Sequence, residues 1–340
     1  MAWKLQSIIW MFLPAHRDVN MTACLFLLLI LISFVMYAVG IISRRKCLAR
    51  RALQSVICLL VIWAATYPLR PTWLKVVIPG ASLSVTSTPI RWQTVASGME
   101  VADVIIYAND QCVDQMKLVR INPQIYAFNV HWNGDQPKTA ELWQKELMSQ
   151  VVISGSYFGN DFTPLTPIRS QGVTHGPKHY ASSHGAFVIK GHFVDIIDLK
   201  GQDTDKIISH YPDAIVSYPL LIDSQGINRA TESGDWLASR NFVAIDQNGL
   251  VILGATETGF FSIKRLGDFL KSSSLNLRVA LNMDGGPLVS QVIQTATYSR
   301  FFHGKAEISD GYDTIRARWY EVYPTEWPLP IVISATAPKP

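Results

Sequence analysis

The octapeptide Val279-Ala280-Leu281-Asn282-Met283-Asp284-Gly285-Gly286 constrains this chain more than any other stretch. An apolar run ends in polar residues, then an acid, then two glycines. Such a run reads as a buried strand that finishes and releases its chain into a tight turn. The Asp284 carboxylate then sits at a strand end, beside backbone without side chains that a ligand can approach closely. A plain Asp-Gly turn is the alternative reading.

Hydrophobicity is unevenly placed along the 340 residues. Thr22–Ile42 carries no charged residue, and is as long as the roughly 20 apolar residues that cross a bilayer. A second, shorter apolar run covers Ala52–Leu69. Between them Arg44, Arg45, Lys46, Arg50 and Arg51 form a loop without acids, which the positive-inside rule places in the cytoplasm. The expectation is a two-span membrane anchor in contact with lipid, with the C-terminal domain outside a bacterial inner membrane, in the periplasm or at the cell surface. The net charge of +4 is then partly a topology signal, and no nucleic-acid partner is expected. Cys112 is the sole cysteine beyond the apolar runs, so the outer domain has no internal disulfide.

The organisation expected is an amphipathic tail (1–20), the anchor (21–69, with the basic loop at 43–51), a linker (70–89), one globular domain (90–335) and a short tail (336–340). Strands dominate the domain. Val101–Tyr107, Met116–Ile121 and Gln124–His131 alternate or run apolar, and Asp246-Gln247-Asn248-Gly249 reads as a hairpin turn. Helical spacing marks 138–150 and Ser262–Ser272. Strands and a few helices without a regular βαβ rhythm predict a mixed α+β fold.

Four segments at strand ends carry small or polar residues where sheet proteins place ligands: 153–159, 170–173, 217–223 and 282–286. Among the acids, Asp284 is best placed. Glu257 is either its partner or a capping acid near a helix start. Arg240 is either a bidentate anion clamp or one half of a surface ion pair. Asn282 can bond a ligand hydroxyl or cap the turn, and Tyr157 and Phe158 can stack on a ligand ring or join the core. His175, His179, His184 and His192 fit no standard zinc spacing, so no metal ligand is assigned, although a divalent cation is possible. Of these, His184, before Gly185, is the one expected to face the site.

The ordered set resembles the phosphodiester glycosidase family. Ser154–Phe158 stands for its strand ending in Asn-Gly-(Gly/Ser)-(Tyr/Phe)-Phe. Arg240 with Asn241–Val251 stands for the arginine and Gly-rich hairpin, and Leu266–Leu270 leading to Ala280–Gly286 for the helix and Asp-Gly-Gly strand end. The resemblance spans about Trp92 to Gln294. It departs at Ser154, where the family has Asn, and at Pro287-Leu288-Val289, in place of Gly-Ser.

What the resemblance implies is hydrolysis of a glycosyl-1-phosphodiester in an envelope glycan or glycolipid. Asp284, Glu257 and Arg240 would be catalytic. Ser154, Gly155, Tyr157, Phe158, Gly172, His184, Ser217, Asn282, Gly285 and Gly286 would contact substrate. The alternative is a non-catalytic glycan-binding or exopolysaccharide-assembly protein using the same pocket. No cofactor is assigned.

Overall fold

The computed structural model describes residues 84–178, 185–230, 236–311, 314–319 and 327–337. By contacts the chain divides into two units, residues 1–78 with 310–316 and residues 79–309 with 317–340. Of the first, only short strand segments at residues 310, 311 and 314–316 are described.

An eight-stranded antiparallel sheet holds β1 (Val85–Ser87), β3 (Met99–Ala108), β4 (Gln111–Ile121), β15 (Val251–Thr256), β14 (Asn241–Asp246), β16 (Leu277–Asn282) and β12 (Leu220–Ile222) in that order, with β2 (Gln93–Ala96) also on β3. A five-stranded sheet orders β18 (Ser299–His303), β17 (Ser290–Gln294), β6 (Val151–Ser154), β21 (Ile331–Thr336) and β5 (Ala127–Trp132). Another orders β10 (Phe193–Asp198), β9 (Gly185–Lys190), β11 (Asp213–Ser217), β7 (Ile168–Ser170) and β8 (Val173–His175). Strand β13 (Trp236–Ala238) pairs with β19 (Ala306–Gly311), and β20 (Thr314–Trp319) follows. Inward side chains of the three larger sheets, among them Phe128, Ile153, Phe187, Val243 and Leu281, form one core of buried residues.

Helices are few among the described residues. α1 (Ala140–Leu147) begins where the Thr139 side chain accepts from the Leu142 amide, and stops at Met148 in the left-handed region. α2 is Thr204–Ile208, and α3 is Ile263–Ser272, capped by Ser262. These caps trim the expected helices to eight and ten residues. The mixed α+β expectation is therefore corrected. The fold is mostly β-sheet, because short helices only lean on sheets whose inner faces already make the core.

The membrane expectation is corrected too. No helix among the described residues is long and apolar enough to cross a membrane. The apolar runs Thr22–Ile42 and Ala52–Leu69 lie outside the described residues, as do the tail 1–20 and most of the linker. A two-pass anchor and its lipid contact are not carried further.

Most expected strands stand near where they were read, including the Gly185–Lys190 and Asn241–Asp246 hairpins, but the strand expected over Gln124–His131 begins at Ala127 after a turn, and the one expected from Met116 begins at Gln111. Asp246 is the turn residue expected, its Oδ1 accepting from the Asn248 and Leu250 amides at 2.9 Å each. The C-terminal strand β21 was not anticipated. It runs between β6 and β5, with Ile333 opposite both Ile153 and Val130.

Gly254 on β15 explains one tight spot. It faces Phe242 across β14–β15, and a β-carbon there would stand 2.2 Å from the Phe242 ring, which is fully buried. Overpacking a core of this density typically costs about 1–3 kcal/mol, so Gly254→Ala should lower folding stability by that amount in denaturant titration. An unchanged midpoint would show that the ring has room to move.

Candidate active site

Three strand ends from two sheets meet at Asn241 and Ser154. Asn241, at the start of β14, donates from Nδ2 to the Ser154 carbonyl at 2.6 Å and to Ser154 Oγ at 3.0 Å. The Ser290 amide also donates to Ser154 Oγ, at 3.2 Å. Beyond β16, the Met283 amide donates to the Asn241 carbonyl at 2.8 Å, and the Asp284 amide to the Gly155 carbonyl at 3.0 Å. Gly286 then donates to the Ser239 carbonyl at 2.8 Å. Gly286 adopts φ 68°, a left-handed conformation that suits glycine, so the turn can double back. The backbone of Asp284 is thereby held between the end of β6 and the start of β14.

Asp284 is half-buried, and its Oδ1 accepts from the Gly285 amide at 2.9 Å. Arg240 is 6% exposed. Its Nε donates to the Phe261 carbonyl at 2.9 Å, and its backbone exchanges hydrogen bonds with Thr256 at 2.8 Å. Its Nη1 lies 3.6 Å from where a β-carbon on Gly285 would stand. A β-carbon there would stand closer still, 2.9 Å, to the Ser239 carbonyl, so this glycine is a packing requirement beside a buried guanidinium, a group that favours anions in bidentate geometry.

Tyr157 shares this field. Burial pushes its phenol well above the ordinary range, the Asp284 and Tyr218 charges push the same way, and Arg240 opposes them. The hydroxyl therefore stays protonated, donating to the Tyr218 carbonyl at 3.1 Å and accepting from Asn282 Nδ2 at 2.6 Å. The Tyr157 and Tyr218 rings lie 4.6 Å apart. Asn282 Nδ2 also reaches the Tyr218 and Met283 carbonyls, at 3.1 and 2.9 Å. Two buried polar atoms here, Asn282 Oδ1 and Ser217 Oγ, have no hydrogen-bond partner among the described residues. Buried polar atoms are normally paired, so these are places for a water or a ligand hydroxyl.

Asp284, Arg240, Tyr157 and Asn282 thus form one constellation, with Ser217 next to Tyr218 at its edge. Other expected contacts fall differently. The Gly155, Gly285 and Gly286 amides all donate within the protein, so they offer no obvious donor to a ligand. A β-carbon on Gly155 would meet Ile331 Cγ2 at 2.5 Å, which makes that glycine a packing requirement. Ser154 is buried and joins strands. Phe158 is half-buried against the core, 6.0 Å from Phe162. Gly172 lies in the exposed β7–β8 turn with φ 84°. Glu257 places Oε1 2.5 Å from Lys305 Nζ and accepts from Gln115 through Oε2, so its carboxylate is engaged by those partners. His184 lies outside the described residues. Among the described residues no group of three or more His, Cys, Asp or Glu is placed to hold a metal ion.

Sequence reasoning assigned no role to Asn241 or Asp114, and took in Tyr218 only as part of the 217–223 segment. Asp114, on β4, is buried, and its Oδ1 accepts from the Gln115, Glu257 and Thr258 amides at 2.8, 3.0 and 2.9 Å. It pins the turn that follows Thr256, the backbone partner of Arg240. Its Oδ2 has no hydrogen-bond partner among the described residues. Reading this strand as starting at Met116 left Asp114 out; an acid two residues before an apolar alternation was the available signal.

Comparison with known proteins is consistent with the resemblance. Residues 148–312 match the model of a family described as phosphodiester glycosidase. The matched stretch includes Ser154, Tyr157, Arg240, Glu257, Asn282 and Asp284. No curated protein matches the sequence. Among solved structures, the zebrafish N-acetylglucosamine-1-phosphodiester alpha-N-acetylglucosaminidase catalytic domain, auto-inhibited by its pro-peptide, is similar at 15% identity and a TM-score of 0.49, over 75% of this chain and 89% of that one. A hypothetical protein from Synechocystis is similar at 15% identity and a TM-score of 0.49, over 76% of this chain and 68% of that one.

Asp114 has a measurable consequence. Burial raises its pKa to about 8 against the opposing amide hydrogen bonds. A carboxyl that binds its proton more tightly folded than unfolded stabilises the fold most at low pH. That contribution declines as pH rises from about 4, the unfolded value, through about 8. Asp114→Asn cannot titrate, so melting temperatures of wild type and variant should diverge between pH 5 and pH 9, the wild type losing more. Parallel profiles would mean that Asp114 is ionised throughout.

Proposed function

We propose that this domain hydrolyses glycosyl-1-phosphodiesters, with Asp284 and Arg240 as the catalytic pair and a sugar-phosphodiester unit of a glycan or glycolipid as substrate. The observation that carries the reading is the placement of a half-buried carboxylate and a buried guanidinium around the side-chain-free Gly285. The family match at residues 148–312 supports it.

The chemistry needs less than an ordinary glycosidase does. Paired carboxylates serve where the leaving group is an alkoxide that must be protonated. A phosphate monoester is already a stable anion and leaves without a proton donor. Water adds at the anomeric carbon, the bond from that carbon to the phosphodiester oxygen breaks, and its electron pair stays with the phosphate. Asp284 takes the water's proton as general base, and Arg240 holds the departing phosphate charge. Glu257, paired with Lys305, has no proton to move in this scheme. Tyr157 and Asn282 orient the sugar through the phenol and the unpartnered Asn282 Oδ1, and Ser217 Oγ supplies a further hydroxyl.

The test uses the full chain with methyl and larger esters of N-acetylglucosamine-1-phosphate and of other sugar-1-phosphates. Free sugar should be released by wild type. Asp284→Asn should lower kcat by about a thousandfold, as loss of a general base does. Arg240→Lys keeps the charge but loses the fork, and should cut kcat/KM by at least about tenfold. Full activity of the folded Asp284→Asn protein would exclude this role. Saturable glycan binding with no turnover of any ester would favour a binding protein.

A further inference from the structure

Ser170, Gln171 and Val173, of the segment expected at the site, line instead a groove of about 410 Å³, together with His175. One wall is the end of β5 with Trp132 and Asn133, another is the β7–β8 hairpin with Gln171 and His175, and α1 with Trp143 and Glu146, together with Lys138 before it, closes a third. Its width is fixed from behind. The buried Asp213 Oδ1 accepts from the Val130 amide at 3.2 Å and from the Gln171 amide at 3.3 Å, and Ser170 Oγ donates to the Val130 carbonyl at 2.8 Å.

The lining selects a ligand by its polarity. The Trp132 ring is covered on one side by the His175 ring, 4.2 Å away, and lies 2.9 Å from where a β-carbon on Gly134 would stand. No broad ring face is offered to a flat aromatic ligand. The indole contributes its Nε1–H, which is buried and has no hydrogen-bond partner among the described residues. Burial lowers the pKa of both His131 and His175, so neither brings a positive charge at neutral pH. Lys138 and Glu146 cancel each other at 2.5 Å. What remains is an uncharged surface with hydrogen-bonding edges and amides, suited to neither phosphate nor a cation. It suits the hydroxyls of neutral sugars.

The groove is connected to the constellation above. Trp132 is the register partner of Ile331, whose carbonyl accepts from the Gly155 amide at 3.0 Å, and Gly155 holds Asp284. Two inter-strand spacings, about 10 Å, separate Trp132 from that backbone. We propose that the groove is a second carbohydrate subsite, which binds uncharged sugar units of the same glycan. The substrate part of this claim rests on the proposed hydrolysis; the binding part does not.

The full chain is titrated calorimetrically with cellotetraose, maltotetraose and tetra-N-acetylchitotetraose. At least one should bind saturably below about 10 mM, a range typical of weak polar recognition. Trp132→Phe removes only the indole donor from the hydrogen-bonding set, and Gln171→Ala alters an exposed turn. Each should weaken binding about tenfold while the circular dichroism spectrum is retained. Asp284→Asn should bind as wild type does. If hydrolysis is never seen but this pattern is, the catalytic reading fails and the subsite holds. No binding of any tetrasaccharide, or binding that both groove variants leave within about twofold, would overturn the subsite.

Discussion

The Asn241 side chain carries more of this architecture than its size suggests. Its amide crosses from the eight-stranded sheet to the Ser154 carbonyl and hydroxyl at the end of β6, in another sheet. The Asp284 turn then hydrogen-bonds to the backbone of Asn241, Gly155 and Ser239 in succession. Sheets pack through apolar faces that tolerate some sliding, whereas hydrogen bonds between strand ends fix register. Asn241 Oδ1 is buried without a hydrogen-bond partner among the described residues, a cost that a purely structural tie need not carry.

That fixed register places two groups of opposite charge without exposing either fully. Arg240 is held by the Phe261 carbonyl and by Thr256, and the turn beyond Thr256 is pinned by the buried Asp114. A guanidinium held in this way is preorganised, so under the proposed hydrolysis it needs little reorganisation to hold a phosphate. Glu257 has the opposite fate. It stands one residue beyond Thr256, and Lys305 and Gln115 engage its carboxylate.

The strand pattern was legible because alternation survives where one face of a sheet is buried, as in Val101–Tyr107, and because a strand buried on both faces, such as Asn241–Ile245, runs apolar. The octapeptide ending at Gly286 was legible for the same reason, since a strand end and a glycine turn are local. β21 was not, because Ile331–Ala335 is short, lies between prolines, and pairs with strands some 180 to 200 residues earlier in the chain. Helix weight was overread because 3.6-residue spacing says nothing of where caps such as Thr139 and Met148 cut it. Asp284 and Arg240 were singled out by residue type and context. The contacts of Asn241 and Tyr218 were not legible, because they join distant segments. The paired-acid expectation for Glu257 failed to foresee Lys305, which approaches from 48 residues later in the chain.

The central claim is that one substrate meets Asp284 and Arg240 together. The most direct measurement is a crystal structure of the full chain carrying Asp284→Asn, bound to the methyl diester of N-acetylglucosamine-1-phosphate. The account predicts phosphate oxygens within hydrogen-bond distance of the Arg240 guanidinium, with the anomeric carbon facing residue 284. A diester bound elsewhere, with the Arg240 guanidinium untouched, would contradict it.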